Sequence, residues 1–113
     1  MVNKDRLDSL FHALADATRR GILEEVARGN PTVAELGRPF EMSAPAISKH
    51  LKVLERAELV TRVKEGTVNR FRLKPEALEE AAEVMGMLAR IWLERANGIE
   101  EVVEEGELED YLM

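Results

Sequence analysis

Apolar residues recur at three- and four-residue spacing along most of this 113-residue chain, but between residues 59 and 73 they alternate with polar ones around Glu65-Gly66. The first rhythm belongs to amphipathic helices and the second to strands. A single hairpin is too little sheet to stand alone in water, so it must lean on helices. The fold class that follows is mainly α with a small β-hairpin. The length suits one domain, residues 1–113, and is too short for two.

The helices can be placed by their stripes and stops. Leu7, Leu10, Phe11 and Leu14 mark a first helix over residues 4–15. Ile22, Leu23, Val26 and Ala27 mark a second, stopped by Gly29-Asn30-Pro31. Thr32 and Glu35 read as a capping box opening a short third helix, whose end Pro39 should loosen. Ser43 is the next N-cap, with Pro45 in the first turn, where a missing N–H costs nothing. This fourth helix runs to about residue 57 on Ile47, Leu51 and Leu54. After strands at 59–64 and 67–73, Pro75 opens a long helix. Its positions Leu78, Ala82, Met85, Ala89, Trp92, Ala96, Ile99 and Val103 form a seam suited to packing lengthwise on another helix. Asn97-Gly98 is a place for that helix to kink or end.

The order is four helices, a hairpin and a long helix. Two helices joined by a tight turn and followed by a hairpin make a winged helix-turn-helix, here at about 32–57 with a wing at about 59–73.

Charge is unevenly distributed. The net charge of −6 speaks at first against a nucleic-acid partner. Yet residues 43–75 hold eight Lys/Arg against three acids, a net of +5, while residues 76–113 hold two against twelve, a net of −10. A basic middle creates a local field that the total conceals. The acidic end has no Asp-rich loop with a glycine turn, so it reads as a solvated, self-repelling tail rather than a calcium site.

At 100° per residue, Ile47, Leu51 and Leu54 share one side of the fourth helix. Pro45, Ser48, Lys49, Lys52 and Arg56 fall on the other, with Ser43 at its cap and slim Ala44 in its first turn. A small, hydroxylic and cationic face is slim enough to enter a major groove, and the helix start favours phosphate. A merely solvated cationic face is the plain alternative. The preceding capped helix and the basic hairpin favour double-stranded DNA. In the hairpin, Arg70 and Arg72 share a face opposite Phe71 and Leu73, while Arg62 and Lys64 alternate with Leu59, Thr61 and Val63. The expectation is an apolar face toward the domain and a basic face toward DNA backbone or minor groove.

Several functions are disfavoured. There is no cysteine, which removes disulfides, thiol redox chemistry and thiolate metal sites. No nucleophile–base pair or phosphate-cradling glycine loop is visible, so neither an enzyme nor a cofactor is expected. The start lacks a signal-peptide core and no apolar run spans a membrane, so a cytoplasmic protein is expected.

The stretch ALADATRRGIL at 13–23 resembles the opening of ArsR-type repressors. TVAELGRPFEMSAPAISKHLKVLERAELV at 32–60 is very similar to their helix-turn-helix, and EGTVNRFRLKP at 65–75 to their wing. Trp92 and Arg95 resemble the W-x-x-R of a non-metal branch. The resemblance covers nearly residues 7–100. It implies a homodimeric winged-helix repressor on a two-fold operator near a promoter. Its dimerisation helices would lie at 4–15 and 75–103, with Leu7, Leu10, Phe11, Met85, Ala89, Trp92, Ala96 and Ile99 at the dimer interface. It implies DNA contact by Ser43, Ala44, Pro45, Ser48, Lys49 and Lys52, in agreement with the face read from the helix.

Three positions depart from the family pattern. Ala17 replaces a proline with little consequence. Ala44 replaces a frequent glutamine, so a polar base contact is lost or becomes contact with a thymine methyl. Glu58 stands where glycine usually follows the recognition helix, and a left-handed backbone there would cost it about 1 kcal/mol. The cysteine pair of metal-sensing relatives is missing from 33–37, which reads VAELG. Of the two histidines, His12 points off the apolar stripe and His50 lies at the edge of the buried face of the fourth helix, suited to packing or a phosphate. Arg19 and Arg20 suit either DNA backbone or nearby acids. Trp92, Met85 and Met87 suit a dimer core better than a ligand pocket. A protein-interaction winged helix and a repressor released by a small molecule are the rival readings.

Overall fold

A computed structural model describes residues 4–96. The elements are α1 (Lys4–Leu14), α2 (Ala17–Arg28), α3 (Val33–Phe40), α4 (Ala44–Arg56), β1 (Val60–Glu65), β2 (Val68–Leu73) and α5 (Pro75–Ala96). The fold is the winged helix-turn-helix expected from the order of periods. Ile99 and the Asn97-Gly98 break lie outside the described residues.

The helix starts are chemical. Asp16, Thr32 and Ser43 sit in extended backbone, and each side chain accepts the N–H three residues on, at Arg19, Glu35 and Ala46. The Thr32 hydroxyl also donates to the Glu35 carboxylate at 3.1 Å. Caps of this kind contribute roughly 1 kcal/mol each.

The helix ends are less expected. Gly29 ends α2 in extended backbone rather than as a left-handed cap. Pro39 is kept inside α3 to its last turn. Beyond it Glu41 turns left-handed at φ +52, and the Met42 and Glu41 amides donate to Gly37 and Arg38 carbonyls. α4 ends the same way. Glu58 sits at φ +58, with Leu59 N–H on Leu54 O and Glu58 N–H on Glu55 O. Both are Schellman turns, with a glutamate where glycine is normal. Leu54 and Leu59, both fully buried, close the second turn with apolar contact.

The core lies where α1 to α4 meet the hairpin and the start of α5, around Leu10, Ile22, Leu36, Leu51, Leu54 and Phe71. The hairpin is antiparallel, with Glu65 opposite Val68, so its loop is Gly66-Thr67. Only Gly66 of the two has positive φ, the pattern of the II′ turn that matches strand twist. Phe71 N–H donates to Pro31 O, and Thr32 bridges to Arg70, which ties the hairpin to the entry of α3.

α5 carries two apolar stripes where the sequence reading found one. Ala77, Ala81, Val84, Met87 and Ile91 are buried against the protomer. Of the expected seam, Leu78 is half-buried and packs against the core, whereas Ala82, Met85, Ala89, Trp92 and Ala96 form a different, exposed stripe.

Candidate nucleic-acid interface

α4 is fastened by one side. Ile47, Leu51 and Leu54 are fully buried, while Ser43, Ala44, Pro45, Lys49, Lys52 and Arg56 are exposed and Ser48 is half-buried. The three-residue turn from α3 fixes its approach. A Cβ on Gly37 would lie 2.8 Å from Met42 O, so only glycine lets that turn close.

Lys49, Lys52 and Arg56 have no carboxylate partner among the described residues. Spaced three and four apart, they form one row of positive charge down the outward side. The acid nearest them in sequence, Glu55, is turned to Arg62 at 2.8 Å. An unneutralised row on a rigid helix is what an extended polyanion requires.

The wing departs from the expectation of a single basic face. In its register Arg62 is opposite Phe71 and Lys64 opposite Asn69, whereas Val63 is opposite Arg70 and Thr61 opposite Arg72. Directly opposed residues share a face, so the two-residue turn sends Arg62 and Lys64 to one side and Arg70 and Arg72 to the other. Arg62 lies over Phe71, its guanidinium carbon 5.3 Å from the ring centroid. Arg70 donates to Asn30 O at 3.0 Å and pairs with Glu65 at 3.1 Å and Glu35 at 3.5 Å. Arg62 and Arg70 are thus held by the fold. Lys64 and Arg72 are the exposed wing cations without a partner among the described residues.

Arg19 and Arg20 hold partners that neither reading included. Arg19 donates to Ala13 O at 2.7 Å and His12 O at 2.9 Å, and Arg20 to Leu14 O at 2.9 Å. They close the last carbonyls of α1, where cations also suit the helix dipole. Nothing in their spacing betrayed this, because the bonds run backward across a turn. His50, from α4, approaches this corner, with Nδ1 3.5 Å from Arg19 and 3.9 Å from Asp16. The Arg19 amide, donating to the Asp16 carboxylate, holds that carboxyl below its ordinary pKa. His12 is exposed. No group of three or more His, Asp or Glu gathers as a metal site among the described residues.

Of the residues assigned to a self-association face, Leu7 and Leu10 are 4% and 0% exposed and belong to the protomer's own packing. A short helix with one stripe needs that stripe to close its core. Phe11 stays half-buried, Ala89 and Ala96 are exposed, and Met85 and Trp92 are 59% and 72% exposed. Leu93, at 62%, is a neighbour the seam pattern missed. No helix among the described residues is long and apolar enough to cross a membrane.

Comparison with known proteins adds to this geometry. Residues 14–63 match the family described as a helix-turn-helix domain. The chain is 40% identical over 97 residues to the HTH-type transcriptional regulator Rv2034 of Mycobacterium tuberculosis, covering 86% of this chain and 88% of that one. Among solved structures it is similar to an ArsR-like transcriptional regulator from Rhodococcus, with a TM-score of 0.76 at 33% identity, over 83% of this chain and 86% of that one. It is also similar to a homodimeric winged helix-turn-helix DNA-binding domain from Mycobacterium bovis, with a TM-score of 0.63 at 26% identity, over 80% and 84% of the two chains.

Proposed function

The chain belongs to the ArsR family of winged helix-turn-helix transcriptional regulators, and from that premise we propose that it is a homodimeric repressor reading a two-fold operator. The observation that carries this reading is the row Lys49, Lys52 and Arg56, without carboxylate partners among the described residues, on a helix whose other side is fully buried.

Two copies joined through Phe11 and the outer stripe of α5 set two α4 helices side by side. Their separation then matches one helical turn of DNA, about 34 Å. Ser43, Ala44, Pro45 and Ser48 lead into the major groove, Lys49, Lys52 and Arg56 meet phosphate, and Lys64 and Arg72 reach the backbone beside it. A dimer seated so occupies a promoter segment that polymerase needs, which supports repression. The absence of cysteine from the sequence supports a regulator without a thiolate metal sensor.

The test is fluorescence anisotropy against labelled duplex from upstream of the chain's own gene, with a scrambled duplex as control, across a salt series. About four phosphate contacts per protomer give a slope near −7 in log K against log salt. Preferential, salt-steep binding supports the reading. No binding to either duplex at low salt overturns it.

A further inference from the structure

The leading end of α4 presents hydrocarbon. The Ser43 hydroxyl oxygen accepts from the Ala46 amide at 3.3 Å, which turns it back onto the start of the helix. Ala44 and Pro45 follow, both exposed, and neither side chain has a donor or an acceptor. Beyond them, the next side chains that can hydrogen-bond a base, Ser48 and Lys49, stand a turn further along. The major-groove edges of base pairs display acceptors, donors and one apolar group, the C5 methyl of thymine. A hydrocarbon tip gains nothing from a donor or acceptor and costs affinity by covering it unpaired. It gains only by covering the methyl.

We infer that Ala44 and Pro45 are specificity-determining residues that select thymine methyl groups in each half-site. This rests on the DNA-reading function proposed above and names what that interface reads. The preferred duplex carries thymines, related by two-fold symmetry, where the two α4 tips enter the groove. Ser48 takes a neighbouring polar base edge.

The test starts with the full chain and a random-sequence duplex pool at fixed salt, followed by sequencing of the retained DNA. The enriched duplex is then resynthesised with deoxyuridine replacing thymidine one position at a time, which removes the C5 methyl alone. At one thymidine of each half-site the loss is about fourfold per methyl, the factor for exposing one methyl-sized group. Ala44→Gly and Pro45→Ala are each measured on both duplexes, with melting curves to verify folding. The variant lacking the contacting group binds the thymidine and deoxyuridine duplexes equally, which assigns the contact by a double-mutant cycle. If Ala44→Gly fails to fold, Pro45→Ala completes the cycle. An enriched motif whose binding ignores deoxyuridine overturns this inference and leaves the DNA-reading function standing. So does full deoxyuridine sensitivity in both variants. A pool that yields no enriched motif overturns the DNA-reading function, and this inference with it.

Discussion

The Glu55 carboxylate holds the Arg62 guanidinium at 2.8 Å, joining the recognition-side helix α4 to the first strand of the wing. Both groups are partly exposed, so the pair adds little stability, within about 1 kcal/mol. Its consequence is electrostatic, because it neutralises a cation beside the proposed phosphate path. Glu55→Gln therefore frees Arg62 and removes a like-charged neighbour of the DNA. We expect tighter binding at low salt and a salt slope steeper by about two per dimer, one counterion for each protomer. Anisotropy titrations at several salt concentrations check this, and weaker binding with an unchanged slope would contradict it.

Lys49→Ala combined with Lys52→Ala removes two exposed cations and no buried contact. Binding should weaken by a hundredfold or more at moderate salt, on the order of four lost phosphate contacts per dimer. The melting temperature should hold, since surface changes of this kind stay within about 0.5 kcal/mol. A large stability loss with intact binding would refute the assignment of this face.

Glu41 and Glu58 share one conformation but not one environment. Both are left-handed, a state that costs a residue with a Cβ roughly 1 kcal/mol. Glu58 also meets Arg6 at 3.1 Å, and Arg6 reaches on to Glu80 at 3.0 Å. Replacement by glycine relieves strain at both sites but loses an ion pair only at Glu58. Glu41→Gly should raise the melting temperature by about 4 °C, and Glu58→Gly by less. Melts at one protein concentration compare them; a larger gain at Glu58 would show that the Arg6 pair contributes nothing.

The helix order, the Thr32 and Ser43 caps and the inward residues of α4 were legible because each rests on local chemistry, a hydroxyl before a stripe; the Asp16 cap was missed, although its carboxylate stands three residues before the amide it accepts from. The hairpin faces were misread because each strand's alternation was read by itself, whereas any two-residue loop at this turn puts Arg62 and Lys64 on the Phe71 face and Arg70 and Arg72 on the other. A Glu65-Gly66 loop would shift each partner by two residues and leave every side chain on the same face. The second stripe of α5 escaped because a helix apolar over more than half its circumference satisfies several spacings at once. Arg19 and Arg20 were unreadable for a different reason. Their partners are backbone carbonyls, which every sequence possesses.

Gly37→Ala tests how tightly the α3–α4 turn controls the interface. The added methyl would lie 2.8 Å from Met42 O, a backbone atom that cannot swing aside. Overpacking of this kind costs typically 1–3 kcal/mol and here also displaces the start of α4. Both the melting temperature and DNA affinity should fall. Gly29→Ala is the control. Its backbone is extended and nothing lies within 4 Å of the added Cβ, so both properties should hold.

Asp16 supplies a pH signature. The Arg19 amide donates to its carboxylate at 3.0 Å and lowers its pKa in the folded chain. A depressed carboxyl stabilises the fold above its unfolded pKa, about 3.9, and that contribution is lost as pH falls through the lower folded value. Asp16→Asn can still cap α2 but cannot titrate. Its melting temperature should fall less steeply than the wild type's below about pH 4. Parallel curves for the two proteins would contradict the link between this cap and acid stability.

Trp92 is the only tryptophan of the chain and is 72% exposed on the outer stripe of α5. Its place beside Met85, Ala89 and Ala96 makes it the largest apolar group the protomer leaves uncovered there. Burying it in both copies of a dimer removes on the order of 300 Å² of apolar surface. At 25 cal/mol/Å² that is roughly 7 kcal/mol, comparable to the lower estimates of the entropy lost on association. Trp92→Glu replaces this gain with two carboxylates facing a low-dielectric seam, and the dimer should dissociate at micromolar concentration. Sedimentation of the wild type and the variant measures it. Emission of the wild type should shift to longer wavelength on dilution as the indole meets water. A variant that remains dimeric would place the self-association surface away from this stripe. It would also remove the two-fold spacing on which reading of successive major grooves depends.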